Sequence, residues 1–143
     1  MYVSTFCVDF ILKGLLARYE NMYWSMKYNL VWDKLLQLDL LPEEFYRREL
    51  ASYIPRMERY GLPLDSRADY TKSDWMAWCA AMAQDEDTRK ALLAPMAKYL
   101  RETQTRVPFS DWYDTKTGRF VAFIARSVQG GMFMPMLTAL DRE

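Results

Sequence analysis

Apolar residues recur at three- and four-residue spacing through most of this chain, and prolines, glycines and acidic residues cut the pattern into segments. A chain patterned this way folds as helices packed on helices, and no run alternates apolar and polar residues well enough to compete as a strand. Leu30, Val31, Lys34, Leu35 and Leu38 carry the spacing through residues 29–38, with Asn29 as N-cap. Pro42 followed by Glu43 and Glu44 opens a second helix: proline suits the first helical position, and acids suit the positive end of the dipole. That helix is expected to reach Tyr60 and stop at Gly61, kinked at Pro55. Thr71-Lys72-Ser73-Asp74 has the shape of a capping box opening a helix over 75–83, where Trp75, Trp78, Cys79 and Met82 share a face. Asp85, Glu86 and Asp87 start a long helix to about Thr103, kinked near Pro95. A loop over 104–118 follows, and a last helix over 119–140, which takes in Phe120 to Ile124 and is weakened by Gly130, Gly131 and Pro135.

These segments repeat. Trp32 and Trp75 stand about 43 positions apart, a period close to that of helical solenoids and toroids. Each unit pairs an apolar short helix with a more charged long one. Antiparallel hairpins then bring the long loops 23–29, 61–71 and 104–118 to one rim, and most polar-aromatic residues lie there. That convergence points to a site.

Composition narrows the chemistry. The 143 residues include no histidine, which removes Ser-His-Asp and Cys-His catalysis and His-ligated metals unless another chain supplies the residue. With 19 basic and 19 acidic residues, nothing electrostatic favours nucleic acid or an anionic membrane. Cys7 and Cys79 form no CxxC element, so no metal site or disulfide framework is implied, and no metal or cofactor is expected. No stretch is long and apolar enough to span a membrane; residues 2–17, interrupted by Asp9 and Lys13, make a poor signal peptide and read as a buried helix. Five Trp, ten Tyr and seven Phe are an excess that favours a pocket for a small polar ligand, because indole and phenol groups need polar partners when buried.

Several residues carry candidate chemistry, each beside a plainer reading. Asp33, on an otherwise apolar helix, needs a partner or a polar cavity. Asp74 is either the acid of the capping box or a catalytic group. Asp111 and Asp114 flank Trp112-Tyr113; two carboxylates beside rings can serve as acid and base, or cap the turn before Gly118. Arg126 needs an anionic partner, a substrate carboxylate or one of these aspartates. Asp65, Arg67 and Asp69 can bind a polar ligand or a divalent cation, or close their loop as an Asx-turn network. Gly130-Gly131 read as a close helix contact.

Three long segments carry a resemblance: Lys27-Tyr28-Asn29-Leu30-Val31-Trp32-Asp33-Lys34-Leu35-Leu36; Tyr60-Gly61-Leu62-Pro63-Leu64-Asp65-Ser66-Arg67 with Tyr70-Thr71-Lys72-Ser73-Asp74-Trp75; and Arg106-Val107-Pro108-Phe109-Ser110-Asp111-Trp112-Tyr113-Asp114-Thr115. With Ala125-Arg126-Ser127-Val128 and Gly130-Gly131 they resemble, over about residues 24–137, the C-terminal six-helical-hairpin domain of the glutaminase A family. The resemblance implies an all-α (α/α) toroid akin to the six-hairpin glycosidases, hydrolysis of the side-chain amide of L-glutamine to glutamate and ammonia, and commonly a secreted parent. A full ring needs roughly twelve helices at ~20–25 residues each, so about half a ring is expected here. Residues 1–143 are then expected to form a single all-α domain, a fragment of that ring, with an atypical helix at 1–21 and family-like hairpins over 22–140. The family tends to carry a small residue and a polar one where Ala122 and Ile124 stand, so the apolar Ile124 departs from that pattern on the inner wall.

The expected reading is a glutaminase-like amidohydrolase domain. Asp33, Asp74 or Asp111 serves as general base, Arg126 holds the substrate carboxylate, and Trp32, Trp75, Trp112 and Tyr113 wall the pocket, with Asp65 and Arg67 at its edge. A carbohydrate-binding or glycosidase-like toroid is the first alternative and a non-catalytic helical module the second. The partner expected is a small molecule, glutamine or a sugar, together with self-association of an incomplete ring.

Overall fold

A computed structural model describes residues 23–105 and 108–140. The helix expected at 2–17, and Cys7 within it, lie outside them. Among the described residues, five α-helices account for most of the regular structure: α1 (Val31–Leu35), α2 (Glu43–Tyr53), α3 (Ser73–Ala81), α4 (Glu86–Glu102) and α5 (Met134–Leu140). Two short strands, β1 (Tyr70–Lys72) and β2 (Trp112–Asp114), pair antiparallel with Tyr70 opposite Asp114, Thr71 opposite Tyr113 and Lys72 opposite Trp112. None of the described helices is long and apolar enough to cross a membrane.

Helix α2 starts where Pro42 and its two glutamates predict and buries Tyr46, Leu50 and Tyr53 along one face. It does not reach Tyr60. Pro55 offers no N–H to the preceding turn, so the α-helix ends at Tyr53 and passes into a 3₁₀ turn over Ile54–Arg56. Helix α4 starts at the expected acidic run, and there an Asp85 carboxylate oxygen caps it, accepting from the Thr88 N–H at 2.7 Å. Here Pro95 is accommodated, and Leu92, Met96 and Tyr99 line the buried face.

Helix α3 is the centre of the molecule. Met76, Ala77, Cys79, Ala80 and Ala81 are all buried, and it packs on α4, on α5 and on a 3₁₀ segment over Ser127–Phe133. A helix apolar on every side is buried on every side. The main core forms around it, with Tyr46, Leu50, Tyr53 and Leu62. A smaller core holds Tyr60, Tyr99 and Tyr113, where the Tyr99 and Tyr113 rings stack 3.5 Å apart.

Further sequence expectations fail: Asn29 lies inside a 3₁₀ turn over Tyr28–Leu30 rather than capping a helix over 29–38, and α1 covers only Val31–Leu35. Thr71 is not the cap of a capping box: it belongs to β1, the position before α3 is Lys72, and no side chain caps that helix. Residues 119–126 are not helical. They run as an irregular segment tied to β2 and its approach, Val121 N–H to Trp112 C=O at 3.0 Å and Ala125 N–H to Phe109 C=O at 2.9 Å, and only 134–140 is α-helix. Tertiary pairing overrides the helical period there.

The three long loops do meet. Met26 N–H donates to Leu64 C=O at 2.7 Å and Ser66 N–H to Trp24 C=O at 3.0 Å, while Tyr60 N–H reaches Thr115 C=O and Thr115 N–H reaches Asp69 C=O, both at 2.8 Å.

Candidate active site

Where β1 runs into α3, four acidic and basic side chains converge. The Ser73 N–H donates to the Asp111 carbonyl at 2.9 Å, which fixes the entry to β2 against the first turn of α3. Asp111 is fully buried and gripped by Arg126 through a fork, Nε to Oδ1 at 3.0 Å and Nη2 to Oδ2. Arg126 reaches it because Ala125 holds a left-handed backbone, φ 55°, a conformation that costs a residue with a Cβ about 1 kcal/mol. Ser110 supports the same geometry, its hydroxyl lying 2.8 Å from the Trp112 carbonyl and 2.6 Å from that of Phe123.

Asp74, in the first turn of α3, is 4% exposed, and its Oδ1 has no hydrogen-bond partner. Gly131 packs against it so closely that a Cβ there would come within 2.9 Å of the Asp74 Cβ and 2.8 Å of Trp78 Nε1. The Trp78 Nε1–H in turn donates to the Gly131 carbonyl at 3.1 Å. Burial, and then the negative charge of Asp111, lift the Asp74 carboxyl above the usual aspartate range against the opposing pull of Lys72 and two backbone amides. The pairing with Asp111 strengthens the already basic Arg126 guanidinium.

Among the described residues, the buried side-chain polar atoms without a partner are Thr71 Oγ1, Ser73 Oγ, Asp74 Oδ1 and Trp112 Nε1. Each such group costs about 1–3 kcal/mol, and their concentration on β1, the start of α3 and the facing strand marks a place built for something other than stability. Aromatic rings surround it. Trp75 stacks on Tyr28 at 3.8 Å, Trp112 meets Tyr70 and Phe123, and the Lys72 ammonium lies 4.5 Å from the Trp75 ring and 5.0 Å from the Trp112 ring.

The structure thus brings together Asp74, Asp111, Arg126, Trp75 and Trp112. It sets others apart. Asp33 accepts from the Leu40 and Leu41 N–H groups at 3.0 and 3.3 Å and from the Tyr46 hydroxyl. Burial alone would raise its pKa, but these donors win and hold the carboxylate below its ordinary range. Tyr113 is fully buried, donates its hydroxyl to the Tyr60 carbonyl at 3.1 Å, and belongs to the small core rather than to a pocket wall. Asp65 and Arg67 pair with each other, at 3.0 and 2.6 Å, which closes their loop. Asp114 caps its own turn through the Lys116 and Thr117 N–H groups at 3.0 and 2.7 Å. Trp32 touches the aromatic row edge-on through Trp78. Sequence reasoning passed over Lys72, although it sits inside the quoted Thr71–Asp74 motif. Its strand pairing opposite Trp112 is invisible without the fold.

Among the described residues no three His, Cys, Asp or Glu side chains gather as metal ligands. A cleft of about 350 Å³ opens elsewhere, lined by Lys34, Leu35, Gln37, Glu43, Met82, Gln84 and Thr138, and contains none of the carboxylates just described.

An all-α protein of helical hairpins, with a buried carboxylate pair at the junction of its loops, is the class these features define. The Glutaminase A six helical-hairpin domain family matches residues 13–136, and the chain belongs to that family. It is 42% identical over 116 residues to "Glutaminase A" of Aspergillus oryzae (strain ATCC 42149 / RIB 40), a match covering 79% of this chain and 17% of that protein. It is 38% identical over 96 residues to "Probable glutaminase/05536" of Arthroderma benhamiae (strain ATCC MYA-4681 / CBS 112371), covering 65% of this chain and 11% of that protein. The chain therefore spans only a small part of the curated relatives it matches. No solved structure matches it.

Proposed function

We propose that this chain contributes the acid–base site of a glutaminase-like amidohydrolase, which converts L-glutamine to glutamate and ammonia. The observation that carries the reading is the contrast between two neighbouring carboxyls. Asp111 is closed on Arg126 through a two-point fork, whereas Asp74 is buried, incompletely hydrogen-bonded and shifted towards its protonated form. A buried carboxyl with a raised pKa, set beside a paired carboxylate and guanidinium, is a candidate acid–base group. In amide hydrolysis, Asp74 as carboxylate takes a proton from the attacking water. As the acid it then returns a proton to the departing amide nitrogen, so that one group serves both half-steps. The Asp111–Arg126 pair lies beside it and fixes the geometry of the site. The unpartnered Trp112 Nε1–H is a donor for the oxygen on which charge develops. Because Asp74 is almost wholly covered, with Gly131 packed against it, substrate entry requires local movement there.

The hairpins would form one side of an (α/α) toroid with this site at its rim. The family membership and the names of the two relatives favour the amide substrate. The aromatic row favours the second reading, a carbohydrate ligand, because ring faces suit sugars.

Ammonia release from L-glutamine, measured beside calorimetric titration with L-glutamine and a panel of oligosaccharides, separates the two. Ammonia release with no heat from the sugars supports the amidohydrolase. Oligosaccharide binding without ammonia release would overturn it in favour of the second reading.

A further inference from the structure

The natural anion-binding residue of this site, Arg126, is already engaged: its fork is closed on Asp111. A second cation stands beside it. Lys72 forms no ion pair or hydrogen bond with any described side chain, and its ammonium lies between two indole rings, 4.5 Å from Trp75 and 5.0 Å from Trp112. Neither ring is loose. Trp75 is backed by the stacked Tyr28, and Trp112 by Tyr70 and Phe123.

Ring faces attract a cation without consuming its capacity to donate to an oxygen anion, and they remove part of its rotational freedom and water. Lys72 is also the residue that precedes the first turn of α3, so an anion bound to it meets the positive end of that helix as well. Two residues on, Asp74 supplies an independent sign of a ligand: a carboxylate oxygen, in a side chain more than nine-tenths buried, with no partner.

We propose that Lys72 is the anion-binding group of this site and receives the α-carboxylate of an amino-acid substrate, so that it selects carboxylate-bearing ligands over neutral ones. The identity of that substrate rests on the amidohydrolase reading, with the side-chain amide carried from Lys72 towards Asp74 along the short glutamine carbon chain. The anion-binding role itself does not depend on turnover. Neutral sugars offer nothing to this cation, so the proposal also decides between the two readings above.

The test titrates the purified chain with L-glutamine, with L-glutaminamide, in which the α-carboxylate is replaced by an amide, and with glutarate, following tryptophan fluorescence. The proposal expects the wild type to bind glutamine at least about tenfold more tightly than glutaminamide, the scale of one charged hydrogen bond. It also expects Lys72→Met to weaken glutamine and glutarate by about 10–100-fold while leaving glutaminamide unchanged, and Lys72→Arg to restore most of the loss. Where ammonia release is measurable, Lys72→Met raises KM with little change in kcat. Glutarate binding lost in Lys72→Met, without any glutamine binding, upholds the anion site and sinks the glutaminase reading. Equal binding of glutamine and glutaminamide by the wild type, which needs no variant, overturns the proposal. Failure of all three ligands to bind overturns it too.

Discussion

Asp74 is held where a carboxylate is least at ease, and the consequence appears in stability as well as in chemistry. Its folded pKa lies above the ordinary aspartate value, so the native state binds this proton more tightly than the unfolded chain does. Stability from this group is complete below pH about 4 and is lost as pH rises through the folded value. Asp74→Asn is therefore expected to melt close to the wild type in acid and higher than it at neutral pH; thermal melts at the two pH values check this. Asp33 predicts the reverse division between stability and function. With three donors on its carboxylate, Asp33→Asn should cost about 1–3 kcal/mol in denaturant unfolding yet leave ligand binding intact. Removing the Arg126 side chain strands a fully buried anion, and Arg126→Ala should lose about 3 kcal/mol by the same measurement.

At the scale of elements, the two adjacent glycines separate. A Cβ on Gly131 would meet Asp74 and Trp78, whereas one on Gly130 would meet nothing within 4 Å. Gly131→Ala is expected to destabilise by about 1–3 kcal/mol and to alter the Asp74 titration, and Gly130→Ala to do neither; paired urea melts and a pH titration of the two variants decide it. The sequence displays both glycines alike as a helix contact, and only packing tells them apart. Helices α2 and α4 were legible because their starts carry local chemistry, Pro42 with two glutamates and the Asp85 cap. Strands β1 and β2 were not, being three residues each and held by a partner about forty positions away. That blind spot covers the site: Asp74, Asp111 and Arg126 can be picked out by type, but the fork that binds two of them and the ring pair around Lys72 arise from the β1–β2 register.

The molecule as a whole presents an uneven surface. Residues 120–140 expose Phe120, Val121, Phe123, Ile124, Val128, Phe133, Met136, Leu137 and Leu140, and the one charge in that stretch, Arg126, is committed to Asp111. Exposed apolar residues in this number are expected to promote self-association. Light scattering on the chain should show mass rising with concentration, and Phe133→Glu with Met136→Glu should abolish the rise. A monodisperse monomer at all concentrations would count against it.

The most direct test of the central claim, that Asp74 is the acid–base group of a glutamine-hydrolysing site, is the rate of ammonia release from L-glutamine by the wild type and by Asp74→Asn under identical conditions. The account predicts measurable release by the wild type and a fall of about a hundredfold or more in the variant, whose fold is intact by its thermal melt. Equal rates in the two proteins, or none in either, would contradict it.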